Sequence, residues 1–347
     1  MRNSQVIAFL DILRGPAALL VVWSHWIGFA PSRLGFTPTA LSQARAWINY
    51  PLGIIQDFGW LGVCLFFLIS GFIITHVAQR ESRKEFLIKR VFRIYPLLAL
   101  AVLLAILLQP EAWNTVSVST VASNAFLLNY FFYPQITFVQ VAWTLAVEVL
   151  FYALLLSLYP FRGRADLLVT LELAFVLGII ALSPSLGHSF FLLAAAVAYL
   201  PYLIVGQLFY FGLYTKRLHP VHFLLFLAGC LFVLVVGLRE IHTGFLSLHN
   251  SYLISFGWAV ILFLIGLLLN AHLFVPRFFS YLAYSSYTIY LLHDTVGDIV
   301  LKHFFPSLGY SKALLMTAVI TGSAIFLVYR WYERPMLRLG HKLASRI

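Results

Sequence analysis

The sequence predicts an all-α, polytopic integral membrane bundle, and three observations carry that expectation. Of the 347 residues, 62% are hydrophobic and only 10% charged, with a mean hydropathy of +0.92. A soluble domain carries roughly 25% charged residues. Apolar runs of around 20 residues recur from one end of the chain to the other, the length a helix needs to cross a hydrocarbon layer ~30 Å thick. Lipid leaves an open sheet edge unsatisfied, so such spans are helices. The formal charge of +11 is accounted for by basic loops gathered on one membrane face, and no nucleic-acid role is assigned.

In order, the expected spans are 9–30, 58–78, 91–109, 142–160, 165–183, 190–213, 219–238, 252–270, 278–299 and 311–331, about ten transmembrane helices. The first follows Met1-Arg2-Asn3-Ser4-Gln5 without a small-residue cleavage site, so it is read as a retained span and not as a signal peptide. The stretch 116–132 is also apolar, yet it carries Ser117, Ser119, Thr120, Ser123, Asn124 and Asn129. Charge placement decides how to read it. With ten spans and both termini cytoplasmic, 18 of the 23 Lys and Arg fall in inner segments and five, Arg33, Arg45, Arg239, Lys302 and Lys312, in outer ones. An eleventh span at 116–132 would turn Arg162, Arg164, Lys216, Arg217, Arg277 and the basic tail outward, against the positive-inside tendency. The stretch is therefore expected to be a re-entrant or interfacial segment on the outer face. No repeat or appended soluble domain is visible, so residues 1–347 are expected to form a single membrane domain. Cys64 and Cys230 sit in apolar runs as small hydrophobes, and no disulfide framework is implied.

Against this apolar background the ionisable residues stand out, because a charge inside a span is costly and marks a functional site by default. Arg14 and His25 lie eleven residues apart. On a straight α-helix that spacing returns to within roughly 20° of one face over a rise of roughly 16 Å. Both therefore look into one groove from different depths. Arg90 and Arg93, at i and i+3 on the mouth of the third span, suit bidentate recognition of phosphate. Glu148 lies about six residues inside the fourth span, near the depth of His25, where the two can meet and a carboxylate can support an imidazole base. The ninth span contributes His293 and Asp294, of which at most one is expected to face that region, since successive helical residues point about 100° apart. Glu333, at the inner end of the last span, is expected to tie the helix end to Arg14 or Arg90. Gly59, Gly62, Ser70 and Gly71 read as a close-packing stripe. Asn124, Asn129 and Tyr130 to Tyr133 suit either a sugar or a membrane-interface belt. A metal site is not expected, because the eleven His form no i, i+4 pair on a helix face and there is no Cys cluster.

These residues resemble the membrane-bound acyltransferase family 3. The resemblance runs from Asp11 to Pro335. It rests on Asp11-x-x-Arg14 with His25 following, Gly62-Val63 to Ser70-Gly71-Phe72, Arg90-x-x-Arg93-Ile94-Tyr95-Pro96, Trp143-Thr144-Leu145 before Glu148, and Tyr290-Leu291-Leu292-His293. It implies about ten spans, no bound cofactor, cytoplasmic acyl-CoA as donor, and catalytic importance for Arg14, His25, Arg90, Arg93 and Glu148. The family acts on sugars, polysaccharides, lipids or antibiotics. In many members a proline follows the late histidine, where this chain has His293-Asp294-Thr295. Some members carry a further soluble esterase-like domain, so this chain is expected to act alone or with a separate periplasmic partner.

The expectation is thus an O-acyltransferase of the cytoplasmic (inner) membrane of a bacterium. It would move an acyl group, acetyl on family grounds, from acyl-CoA held at Arg90, Arg93 and Arg14 to a hydroxyl of a glycan or glycolipid. His25 would be the general base or acyl carrier, with Asp11, His293, Asp294 and Glu333 as further candidates. The rival is a transporter or flippase with His25 and Glu148 as a proton relay. Donor dependence separates the two.

Overall fold

A computed structural model of the chain describes residues 8–109, 113, 116–133, 135–240 and 249–346. Met1–Gln5, and with it Arg2, lies outside the described residues. Those described are mostly helical and contain no strand. The helices are α1 (Ala8–Trp23), α2 (Ala30–Arg33), α3 (Thr39–Ala44), α4 (Gly59–Ala78), α5 (Arg83–Leu108), α6 (Val118–Ala125), α7 (Trp143–Ser157) and α8 (Ala165–Leu182). They continue with α9 (Gly187–Val197), α10 (Leu200–Phe209), α11 (Pro220–Glu240), α12 (His249–Leu269), α13 (Arg277–Leu292), α14 (Asp298–Val328) and α15 (Arg334–Ala344).

Nine helical stretches among the described residues are long and apolar enough to cross a membrane, and the protein is a multi-pass helical bundle. Eight coincide with the first eight expected spans. The ninth, Arg277–Ala344, is 68 residues long, about 100 Å of helix at 1.5 Å per residue, and holds both of the last two expected spans. Helical structure persists on either side of Gly309, whose φ of +69° breaks the run just after Pro306. No loop marks the boundary between the two. The third stretch starts at Arg83, so the basic run through Arg93 is helical. Ser82 caps it by accepting from the Glu85 N–H at 3.2 Å.

The stretch 116–132 holds no helix long and apolar enough to cross a membrane. Its helix α6 has eight residues, opened by a Ser117–Thr120 capping box, and the chain leaves it through Leu127 at φ +63°. Asn124 and Asn129 are internal ties. The Asn124 amide donates to the carbonyls of Thr120 and Ile136 and accepts from the Phe138 N–H, each at 2.9 Å, and Asn129 donates to Thr137 Oγ1 at 3.2 Å. Among the residues read as sugar-facing, Phe132 and Tyr133 are exposed.

The fold divides into two compact units. One comprises Met1–Ile69 and Asn250–Arg330, the other Ser70–His249 and Trp331–Ile347. In the first, α1 lies along α13, with Gly15 set so close that a methyl there would come within 2.6 Å of Leu282 Cβ. Ala18, Leu282 and Ile289 form the seam, joined by Val22, Phe66 and Ile325. Gly62 of α4 rests on the Ala17 carbonyl, as the small-residue stripe suggested. In the second unit every residue of α10 is buried, Gly71 packs onto the backbone of Leu203, and α15 runs along α5 with Gly340 against Phe92 and Tyr332 donating to the Pro96 carbonyl at 3.2 Å.

Candidate active site

In the first unit the polar residues gather where two helices each open into a π turn. The chain leaves α1 through a π segment at Ser24–Phe29, and α13 passes to α14 through another at His293–Gly297. A π turn carries one residue more than an α turn and recurs at functional sites, because it re-aims side chains and frees carbonyls from the helical ladder. Both effects are seen. The Trp26 indole donates to the carbonyl of His293 at 2.9 Å, Tyr310 donates to the carbonyl of Trp26 at 2.7 Å, and Gly297 leaves the room that the Trp26 indole fills.

His25 Nδ1 lies 3.6 Å from Asp294 Oδ1, with the two side chains 25% and 12% exposed, so the imidazole remains reachable. The His293 ring stands 4.9 Å from that of His25, centroid to centroid, and is fully buried. His293 Nδ1 faces the Ile289 carbonyl at 3.1 Å. A carbonyl only accepts, so the neutral ring carries its proton on Nδ1 and presents a bare acceptor at Nε2, which has no hydrogen-bond partner. The expectation that at most one of His293 and Asp294 would face His25 is therefore corrected. The α-helical rotation of about 100° per residue does not hold through a π turn, and both residues flank His25. Asp298, one turn on, is taken by Lys302 at 2.6 Å and Arg33 at 3.7 Å. Arg14 and Asp11 interact electrostatically on α1. Pro16 and the π turn both fall between Arg14 and the end of the first span, so the strict eleven-residue alignment of Arg14 with His25 is loosened.

The second unit carries its own cluster. The Glu148 carboxylate accepts from Tyr152, one turn along α7, and from Ser70 Oγ at 3.4 Å. The Arg90 guanidinium sits 6.0 Å above the Tyr152 ring and 5.7 Å above Phe86, and its Nε is buried without a hydrogen-bond partner. Arg93 pairs with Glu333 at 3.0 Å, the glutamate being buried. Within this unit the Glu148 carboxylate has Tyr152 and Ser70 as hydrogen-bond partners, and the Arg90 guanidinium lies over the same tyrosine. The i, i+4 spacing of Glu148 and Tyr152 was a readable signal for their pairing.

Comparison with known proteins adds the family. The chain is 25% identical over 335 residues to YrhL of Bacillus subtilis (strain 168), which is provisionally named a peptidoglycan O-acetyltransferase. That alignment covers 83% of this chain and 52% of the relative, so the chain spans about half the length of that protein. It is 30% identical over 304 residues to the exopolysaccharide production protein ExoZ of Rhizobium meliloti (strain 1021), covering 81% of this chain and 90% of the relative. No solved structure matches it. The family model described as an acyltransferase domain matches residues 7–329, and with nearly the whole chain inside that match, the protein belongs to this acyltransferase family.

Proposed function

We propose that the protein is an integral membrane O-acyltransferase of the bacterial cytoplasmic membrane, moving an acyl group, acetyl in the first instance, from cytoplasmic acyl-CoA to a hydroxyl of a carbohydrate-containing acceptor. Family membership supports the reaction class. The names of the two relatives, one an O-acetyltransferase and one an exopolysaccharide protein, support acetyl and glycan. The observation that carries the chemistry is the His25–Asp294 pair at 3.6 Å with the unpartnered Nε2 of His293 beside it.

In this reading Nδ1 of His25 faces Asp294, leaving Nε2 to take the proton from the acceptor hydroxyl. The freed oxygen attacks the thioester carbonyl, a C–O bond forms, and collapse of the tetrahedral intermediate breaks the C–S bond. The departing thiolate recovers the proton from His25 and leaves as the thiol. Asp294 favours the imidazolium present only during transfer, which is the differential stabilisation that catalysis requires. Arg90 and Arg93 bind the donor's phosphates as charge-assisted hydrogen-bond donors, Glu333 pairs with Arg93, and Glu148 with Tyr152 sets the environment of Arg90.

The test is transfer of radiolabelled acetyl from acetyl-CoA in membranes holding the intact protein or His25→Ala, with label followed into the envelope glycan fraction. Label that reaches glycan only with His25 present is the expected result. Transfer that survives His25→Ala removes His25 from the chemistry. Glycan translocation without donor consumption would make the protein a transporter.

A further inference from the structure

Residues 56–58 hold the most strained backbone among the described residues. Gln56, Asp57 and Phe58 have φ of +55°, +48° and +73° in succession, and none is glycine. One such residue is uncommon, and a bulky one is an outlier. Strain of this kind persists only where the surroundings over-determine it, and it concentrates at functional sites. The surroundings here are specific. Asp57, buried, receives a bidentate pair from Arg45, Nε to Oδ1 at 2.8 Å and a terminal nitrogen to Oδ2 at 2.7 Å. Gln56 donates to Tyr252 at 3.2 Å, and the Ile55 N–H donates to Ser255 at 3.2 Å, which anchors the turn on α12.

What this turn grips is the π segment that carries His25. Ser24 Oγ donates to the Gln56 carbonyl at 2.6 Å. The same Arg45 nitrogen that holds Asp57 also donates to the Gly28 carbonyl at 3.1 Å. The residue before His25 and a residue three beyond it are thus both bonded to one strained, ion-paired turn. The approach leaves no slack, since a methyl on Gly28 would come within 2.5 Å of the Asp57 carboxylate. A π segment departs from the α-helical register of the helix before it, and the ties at Ser24 and Gly28 hold that departure on both sides of His25.

We infer that Arg45 and Asp57 are positioning residues for His25, acting through Gly28 and the Gln56–Phe58 turn. The inference rests on the reading of His25 as the general base. Arg45 cannot be replaced by lysine in this role, because a single ammonium does not reproduce a planar fork that meets two carboxylate oxygens and a carbonyl together.

The experiment measures Arg45→Lys in two ways on the full chain in detergent or membranes. Pulsed carbethoxylation, read by mass spectrometry, reports the reactivity of the His25 ring, with exposed His222 of the other unit as internal standard. Acetyl transfer reports kcat and donor KM separately. The expected result is faster labelling of His25 against an unchanged His222, with kcat falling roughly 10- to 100-fold, the scale of a displaced catalytic group, and donor KM unmoved. Unchanged labelling and unchanged kcat would overturn the inference. Altered labelling of His25 in the variant, where the wild-type protein itself transfers nothing, would leave the positioning intact and remove the catalytic reading. If Arg45→Lys does not accumulate, Ser24→Ala removes the other tie without disturbing the ion pair. It should move both readouts in the same direction, and failure to move either would refute the role of the turn.

Discussion

Asp294→Asn isolates the electrostatic part of the proposed mechanism, because it keeps the shape of the side chain and removes its charge. His25 Nδ1 and Asp294 Oδ1 are 3.6 Å apart. With an effective dielectric of about 20, two unit charges at that separation attract by about 5 kcal/mol, and with bulk water's value by about 1 kcal/mol. Against neutral His25 the attraction is largely absent, so the difference falls on the barrier and not on substrate binding. At 1.36 kcal/mol per factor of ten, the two limits are a fall in kcat of roughly several thousandfold and roughly tenfold. Partial exposure of both groups places the outcome between them. The assay is single-turnover acetyl transfer from labelled acetyl-CoA over a range of donor concentrations. A variant within twofold of wild type in kcat, or one whose loss lies wholly in donor KM, would refute the assignment of Asp294 as the carboxylate that supports His25.

Two further outcomes follow from packing. Gly71→Ala would set a methyl carbon 2.6 and 2.8 Å from the backbone carbon and Cα of Leu203, and backbone cannot turn away as a side chain can, so about 1–3 kcal/mol of destabilisation is expected. Gly178→Ala, with nothing within 4 Å of the new methyl, should instead be neutral or gain up to ~1 kcal/mol of helix propensity. Thermal midpoints in one detergent compare the pair, and the same sign for both would contradict the close approach of α4 to α10. Asn124→Ala leaves the buried Phe138 N–H without its acceptor, a loss of about 1–3 kcal/mol. Faster hydrogen exchange confined to residues 120–139 should report it, and exchange unchanged there would show that the asparagine does not hold the segment.

The spans were legible in the sequence because burying apolar length in lipid is a one-dimensional requirement, and runs such as those of α4 or α11 meet it on composition alone. The reading of 116–132 as a segment that does not cross was equally accessible, since a misplaced span would have inverted the basic residues that follow it. The partner of His25 was not accessible. Asp294 directly follows His293, and the expectation that at most one of the two faces His25 assumed regular α-helical azimuths. The π turns at Ser24–Phe29 and His293–Gly297 shift that azimuth by about one residue's worth of helix, and no residue type announces them. Asn124 and Asn129 make internal hydrogen bonds for the related reason that an amide suited to a sugar is equally suited to a neighbouring backbone or hydroxyl.

Sequence alone therefore determined the solvent of this protein, the apolar stretches that cross it, and the set of ionisable groups that the apolar chain tolerates. Each of these is a property of residue type summed along a helix. Tertiary structure decided which groups meet. It set Asp294 and His293 at His25, gave Glu148 to Tyr152 and Ser70, and turned Arg45, a cation counted only for its side of the membrane, into the clamp on the Gln56–Phe58 turn. Those pairings depend on rotation about helix axes and on contacts between residues up to some 270 positions apart in the chain, such as His25 with Asp294. Hydrophobic periodicity constrains neither, because it is blind to a one-residue change in helical pitch.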